Sequence, residues 1–246
     1  MTDAGSFDLG LAGKVVVVTG GSRGIGRAVA KAFLDQGAVV RITARRAERL
    51  QEAAEALGTG CSWAVADVGD EDAARSVVTA TVDELGAVDV LVNNAAMGLP
   101  YGPLVELEAR RAAKAALVNQ WAPVLWTRLA WEAWQAAHGG AIVNIASIGG
   151  LVPWPNAGYY GATKAALIHI TRSLALELSP GVRVNAVAPA VVETEFSGAA
   201  ARESDPSGIR RRPGRPDEVA DLVVFLASER ASLVNGATLV AADPAG

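Results

Sequence analysis

The strongest constraint in this sequence is a β-branched run that ends on a glycine turn: Lys14-Val15-Val16-Val17-Val18-Thr19, then Gly20-Gly21-Ser22-Arg23-Gly24-Ile25-Gly26. Consecutive valines without polar alternation are what a strand buried on both faces requires. A helical pattern begins at Gly24, runs through Phe33 and stops at Gly37, so the unit reads strand, turn, helix. Glycines spaced Gly-x3-Gly-x-Gly permit close backbone approach, and they let amide N–H groups and a helix N-terminus face a pyrophosphate. Tight packing also demands glycine, but the position of this turn between strand and helix favours a dinucleotide cradle. Gly20, Ser22, Arg23, Gly24, Ile25 and Gly26 are therefore candidate cofactor contacts.

The alternation then repeats. Val39 to Thr43, Cys61 to Ala66, Val88 to Val92, Ala141 to Ala146, Val182 to Ala188 and Thr238 to Ala241 read as strands. Ala47 to Leu57, Asp70 to Leu85, Tyr159 to Leu178 and Asp217 to Ser228 read as helices, as does a long segment from after Leu104 to about Ala137 that Pro123 should kink or break. Strands alternating with helices of this length form parallel βαβ units. The expected fold is α/β: a single-domain, Rossmann-type, doubly wound parallel sheet of about seven strands flanked by helices and spanning residues 1–246. With 51% hydrophobic and 20% charged residues, the chain has the apolar content for one large core. Residues 195–216 are rich in Gly, Ser, Pro and Arg without periodicity, and read either as a substrate loop or as a plain surface connection.

Several function classes fall away. The net charge is −4 and the only tight basic run is Arg210-Arg211-Arg212, so no nucleic-acid partner is expected. Cys61 is the single cysteine, and His138 and His169 are the only histidines, which leaves neither an internal disulfide nor a Cys- or His-rich metal site. The start of the chain carries Asp3 and Asp8 and no apolar segment, so a cytoplasmic protein without a signal peptide is expected. The uncharged stretch from Gly139 to Thr163 is interrupted by Pro153 and Pro155 and is not expected to span a membrane.

At the end of the second strand, where NAD-binding chains usually place an acid for the ribose hydroxyls, stand Ala44, Arg45 and Arg46. With no competing carboxylate, guanidinium groups there and at Arg23 can bind a 2′-phosphate, which favours NADP(H) over NAD(H). Asp67-Val68 ends the third strand, where a carboxylate can accept from an adenine amino group; Asp70 is the better helix-cap candidate. Asn93-Asn94-Ala95 ends the fourth strand, where the side chains can equally satisfy loop backbone groups.

Tyr160 and Lys164 share one helix face at i and i+4. Acid–base work by a phenol near neutrality requires lowering its pKa from ~10 by about three units, worth about 4 kcal/mol. A cation at ~4 Å in an effective dielectric of ~20 supplies that much. The spacing alone also arises by chance. Ser147, at the end of the fifth strand, can hydrogen-bond a substrate carbonyl or serve as a turn or cap residue. Asn119 sits in the long helix, where an amide can bend the backbone and hold a water.

Taken together, Thr19-Gly20-x3-Gly24-Ile25-Gly26, Asn93-Asn94-Ala95, Asn119, Ser147, Tyr160-x3-Lys164 and Pro189 through Thr194 resemble, in order and spacing, the classical short-chain dehydrogenase/reductase family along nearly the whole chain. The resemblance implies hydride transfer between NADP(H) and a small-molecule ketone or aldehyde and its alcohol. It implies that Tyr160 is the general acid/base, Ser147 orients the carbonyl, Lys164 also contacts the nicotinamide ribose and Asn119 supports a proton-relay water. It further implies that Asn94 helps to build the cofactor pocket and that Pro189, Val192 and Thr194 lie beside the cofactor. A homo-oligomer, tetramer or dimer, is implied as well. Three positions depart from the family pattern: Ala96 and Ala190 replace usual glycines near the cofactor, and the chain ends Ala241-Ala242-Asp243-Pro244-Ala245-Gly246 where the family usually ends Asp-Gly-Gly, a terminus that often makes subunit contacts.

One alternative is a reductase of 3-oxoacyl thioesters. Family members acting on carrier-bound substrates use basic residues near the ends of the two long central helices, and residues 136–140 and 179–182 contain no Lys or Arg here. Arg210 to Arg212 can receive an anionic substrate or stay solvated. A second alternative, a silent NADP-binding regulator, has no need of an intact Ser147, Tyr160 and Lys164. Trp121, Trp126, Trp131 and Trp134 on the long helix fit an interface or the core equally, and Trp154 is placed to wall a substrate cavity.

Overall fold

The computed structural model describes residues 8–196 and 212–242. Seven strands form one sheet: β1 Val15–Thr19, β2 Val39–Ala44, β3 Cys61–Val65, β4 Val90–Asn93, β5 Gly140–Ile145, β6 Val182–Pro189 and β7 Thr238–Ala241. All neighbours pair in parallel, in the order β3-β2-β1-β4-β5-β6-β7. The chain builds outward from β1 to β3, then returns to place β4 on the other side of β1. At such a reversal, crossovers leave the sheet toward opposite faces and open a crevice beyond the strands' carboxyl ends.

The helices are α1 Gly24–Asp35, α2 Ala47–Leu57, α3 Glu71–Leu85, α4 over residues 109–138, α5 Gly158–Glu177 and α6 Pro216–Ala227. Strand alternation divides the core into two layers. Val16 and Val18 of β1, with Val90 and Val92 of β4, pack with Val29 and Phe33 of α1, Leu50 of α2 and Val223 of α6. Val17 and Leu91 point the other way and pack with Val77 of α3, Leu125 and Trp126 of α4 and Ala175 of α5. This two-sided burial is why β1 is valine throughout.

Strand boundaries differ slightly from expectation: β4 starts at Val90 rather than Val88, and β5 and α5 start one residue early. The larger difference is in α4. Pro123 does not end it; residues Leu117–Trp121 and Trp131–Gln135 are π-helical turns within one continuous helix, and the pattern changes from π to α beside the proline. The first wide turn closes immediately before Ala122–Ala130, with Pro123 in the first turn of that α segment. There a missing N–H costs little, because the preceding turn has already left the i→i−4 pattern.

The tryptophans of α4 divide between core and surface. Trp126 is fully buried and donates from Nε1 to the Val68 carbonyl at 3.1 Å, whereas Trp121 and Trp131 are 48% and 40% exposed. Trp134 stacks on His138 at 3.7 Å between ring centroids. Trp126→Phe removes the hydrogen bond and leaves the Val68 carbonyl unpartnered in the core, so unfolding free energy should fall by about 1–3 kcal/mol; urea unfolding followed by circular dichroism measures it.

No helix among the described residues is long and apolar enough to cross a membrane. Cys61 is partly buried, and burial pushes its thiol up to about 11.

Candidate active site

The carboxyl ends of β1 and β4 are laced together. Thr19 Oγ1 accepts from the N–H groups of Asn94 and Ala95 at 3.0 and 3.1 Å and donates to the Val92 carbonyl at 3.3 Å. Asn94 Nδ2 donates to the carbonyls of Thr19 and Gly20 at 2.9 and 3.1 Å. These bonds hold the glycine turn against the sheet. Gly20 has φ +67°, and a Cβ there would lie 2.9 Å from Asn94 Nδ2; a Cβ on Gly26 would lie 2.4 Å from the Gly20 carbonyl oxygen. The Arg23 backbone is extended at φ −162° and its side chain does not cap α1, so the helix opens with no side-chain acceptor at its N-cap. A turn this close-packed, aimed by an uncapped helix N-terminus, suits a pyrophosphate.

One cleft of about 840 Å³ runs from this turn across the crevice to α5. Gly20, Ser22, Arg23, Gly24, Ile25, Arg45 and Arg46 line one end, with Asp67, Val68 and Asn94 beside them. Ser147, Tyr160, Lys164, Pro189, Val192 and Thr194 also line it, as does Trp154. Two residues expected here stand behind the wall: Gly26, packed on Gly20, and Asn119, fully buried in α4. Asp67 turns its carboxylate back to the Gly69 N–H at 3.1 Å, and Asp70, not Asp67, caps α3 by accepting from Ala73 at 3.1 Å. Cleft residues missed from the sequence include Met97, Leu99 and Tyr101 after β4, Lys114 on α4, Arg49 on α2 and Glu195 after β6. Glu195 bridges Arg23 at 2.5 Å and Arg49 at 3.4 Å.

Asn119 ties three elements together. Its Oδ1 accepts from the Met97 N–H at 2.8 Å, and its Nδ2 donates to the Met97 carbonyl and to Thr163 Oγ1, both at 3.0 Å. Thr163 in turn donates to the Tyr160 carbonyl at 2.7 Å. The amide is thus fully committed to holding α4, α5 and the segment after β4 together. A second buried chain runs from Asn93 Nδ2 to Asn144 Oδ1 and from Asn144 Nδ2 to Thr171 Oγ1, each at 2.9 Å, and fixes α5 to β4 and β5.

Tyr160 and Lys164 reach the same cleft from one face of α5. Lys164 is 2% exposed and its Nζ donates to the Ile145 carbonyl at 2.7 Å, which leaves it 5.8 Å from the centre of the Tyr160 ring. Burial pushes the Tyr160 phenol up to about 12, against the pull of a hydrogen bond with Ser147, and burial lowers the Lys164 ammonium to about 8. Burial thus outweighs the hydrogen bond from Ser147, and the phenol stands above its ordinary value rather than below it. Ser147 serves as the cap residue: it caps the short helical turn Ile148–Gly150, accepting from the Gly149 N–H at 3.2 Å, and it also faces the phenol. Among the described residues Asn156 is the only non-glycine with positive φ, so Ala96 and Ala190 sit on ordinary backbone, and their methyls cost the cleft volume rather than strain.

Of the basic run in the 195–216 segment, Arg210 and Arg211 lie outside the described residues, as does the stretch between Phe196 and Arg212. Arg212 pairs with Glu218 at the start of α6, with contacts of 2.5 and 3.1 Å.

A parallel sheet in this order, with a glycine turn at its reversal point, defines a dinucleotide-binding fold. Over residues 20–243 the sequence matches the family model described as enoyl-(acyl carrier protein) reductase. It is 35% identical over 245 residues to the dehydrogenase/reductase SDR family member 4 of Oryctolagus cuniculus, covering 96% of this chain and 94% of that protein. It is 37% identical over 233 residues to the cis-4-hydroxycyclohexanecarboxylate dehydrogenase of Sinomonas cyclohexanicum, covering 92% and 94%. The crystal structure of L-sorbose reductase from Gluconobacter frateurii, complexed with NADPH and L-sorbose, superposes with a TM-score of 0.89 at 30% identity over 97% of this chain and 98% of that one. This chain belongs to the short-chain dehydrogenase/reductase family and is an oxidoreductase acting on CH–OH groups.

Proposed function

We propose that this protein is an NADP(H)-dependent reductase or dehydrogenase that interconverts a small ketone or aldehyde and its alcohol, with Tyr160 as general acid and base. The observation that carries the reading is the convergence of Ser147, Tyr160 and Lys164 on the same cleft as the glycine turn. The turn residues Gly20 to Ile25 and the α1 N-terminus suit the pyrophosphate, Asp67 and Val68 the adenine, and Asn94, Pro189, Val192 and Thr194 the span between phosphates and nicotinamide. A nicotinamide bound there supplies the hydride in reduction and takes it up in oxidation.

The rest is the work of the chain. In reduction, Tyr160 donates its proton to the carbonyl oxygen while the Ser147 hydroxyl hydrogen-bonds the same oxygen, and the oxyanion is never left bare. Lys164, held by the Ile145 carbonyl, faces the phenolate that forms. Asn119 supports the relay from behind the wall: it bonds Thr163, which bonds the Tyr160 carbonyl, so it braces the turn of α5 that carries the acid while a cleft water returns the proton.

Support for NADP(H) comes from the cations gathered where a 2′-phosphate would lie: Arg23, Arg45, Arg46 and Arg49, with no acid at Ala44. The solved L-sorbose reductase was crystallised with NADPH. The deciding experiment is a turnover screen of ketones and alcohols with NADPH and NADH in parallel, where NADH preference would overturn this assignment. Arg45→Ala should raise KM for NADPH about tenfold and leave KM for NADH unchanged, as expected for one solvent-exposed charge-assisted contact. Glu195→Gln should do the reverse, lowering KM for NADPH alone, because its carboxylate competes with a phosphate for Arg23 and Arg49.

A further inference from the structure

The catalytic end of the cleft differs in chemistry from the cofactor end. Beyond Ser147 and Tyr160 the described wall is Met97, Leu99, Tyr101, Trp154, Ala190 and Phe196. The charged lining residues stand elsewhere. Arg23, Arg45, Arg46, Arg49 and Glu195 gather by the glycine turn, and Asp67 lies at the end of β3. Lys114 lies one helical turn before Leu117 and Val118; Leu117 packs against Gly69, and Val118 lines the cleft with Asp67 and Val68. Lys164 does stand at the catalytic end, but its ammonium is buried beside the Tyr160 ring and bonded to the Ile145 carbonyl.

The wall is also shaped and braced. The Phe196 ring lies 6.3 Å from the Tyr160 ring at a 47° tilt, so a group attached to a carbonyl carbon at Tyr160 meets an aromatic face. Tyr101 and Trp154 come from separate loops that are tied together, because the Gly102 N–H donates to the Asn156 carbonyl at 3.0 Å. Asn156 holds a left-handed backbone at φ +61°, which an Asn tolerates and which turns the chain between Trp154 and α5. Tyr101 and Phe196 remain 43% and 47% exposed, so large aromatic surface stays uncovered beside the reacting groups.

Resting on the reading of the site as a carbonyl reductase, we propose that the substrate is an uncharged ring-bearing ketone, alicyclic or aromatic, or the matching secondary alcohol, gripped by Tyr101, Trp154 and Phe196. A carboxylate on the ring finds at this end of the described wall no cation but the buried, already bonded Lys164, and the hydroxyls of a polyol face side chains that offer almost no return hydrogen bonds. An apolar ring instead covers the uncovered aromatic surface and leaves its one polar atom, the carbonyl oxygen, on Ser147 and Tyr160.

The test compares kcat/KM with NADPH for cyclohexanone and 1-tetralone against 4-oxocyclohexanecarboxylate and L-sorbose, with saturation-transfer NMR binding of the same four compounds to the protein loaded with NADP+. Cyclohexanone should exceed its carboxylate, and both ring ketones should exceed L-sorbose, by about 100-fold or more in kcat/KM. Trp154→Ala should raise KM for 1-tetralone about tenfold with kcat little changed, and Trp154→Phe should restore most of the loss; thermal melts of both variants report folding. Preference for the carboxylate or for L-sorbose, in turnover or in binding, overturns the proposal while leaving the reductase intact. Ring ketones that bind selectively through Trp154 but are not turned over with either cofactor keep the proposal and overturn the catalytic reading.

Discussion

Tyr160→Phe is expected to lower kcat/KM about 10³-fold in both directions and to leave cofactor affinity within about twofold of the parent. The substitution removes one oxygen and keeps the ring, so packing beside Phe196 is preserved and only the transferable proton is lost. General acid–base catalysis contributes about 10²–10⁴-fold, and of the described proton donors at this end of the cleft only Tyr160 is paired with Ser147. Ser147 has a hydroxyl, but its role is to hold the carbonyl oxygen, and its own pKa is far too high for it to become the proton donor. With the phenol pushed up to about 12, the protonated form needed for reduction dominates throughout the neutral range, whereas the phenolate needed for oxidation grows as pH rises. Ketone reduction by the parent should therefore be nearly flat from pH 6 to 8, about one unit either side of neutrality, while alcohol oxidation climbs with pH. Both dependences should vanish from the residual rate of the phenylalanine variant. Steady-state kinetics in both directions, with NADPH binding followed by fluorescence, provide the check; a variant retaining more than a third of parental kcat/KM would remove Tyr160 from the mechanism.

What could be read from the sequence depended on whether the physics was local. The valines of β1 announce a strand buried on both sides, and the core bears this out with Val16 and Val18 on one face and Val17 on the other. The glycine turn was legible because spacing and position together specify it. Arg49 was not, because nothing near it in sequence marks it: it acquires its place through Glu195, 146 positions away. The Asn94 side chain could be read as cofactor contact or loop support, and it lines the cleft while bonding two carbonyls of the β1 turn. Pro123 misled because a helix interior was assumed to be α-helical; the π turn at Leu117–Trp121 places the proline where its missing N–H does least harm. The phenol stands higher than the Tyr160 and Lys164 spacing suggested because spacing says nothing of how deeply both groups are buried. Spacing of i and i+4 fixes the distance between Cβ atoms, but a four-carbon stem decides where the charge goes, and here the Ile145 carbonyl takes it.

That displaced lysine leads to the second large effect. Lys164→Met should cut kcat/KM by about 10²-fold or more, because an apolar thioether of similar length cannot offset the negative charge that develops on Tyr160 in the transition state. The same variant should alter how stability depends on pH, and the sign is fixed. Burial lowers the Lys164 ammonium from 10.5 to about 8, so between those values the unfolded chain holds a proton that the native protein has lost. Stability linked to this group therefore rises with pH from 8 to 10.5 and is lost as pH falls through 8, each pKa unit being worth about 1.4 kcal/mol. Methionine removes the linkage and also strands the Ile145 carbonyl, at a cost that does not vary with pH. The unfolding free energy of the parent should thus gain on that of Lys164→Met as pH is raised from 8 toward 10.5. The raised phenol of Tyr160 lowers stability above pH 10, but it does so in both proteins and cancels in the difference. Urea unfolding of the two proteins across that window measures the difference directly. Parallel curves would mean that Lys164 is no more desolvated in the native fold than in the unfolded chain, and the buried cation would then have to be abandoned as the group that faces the phenolate.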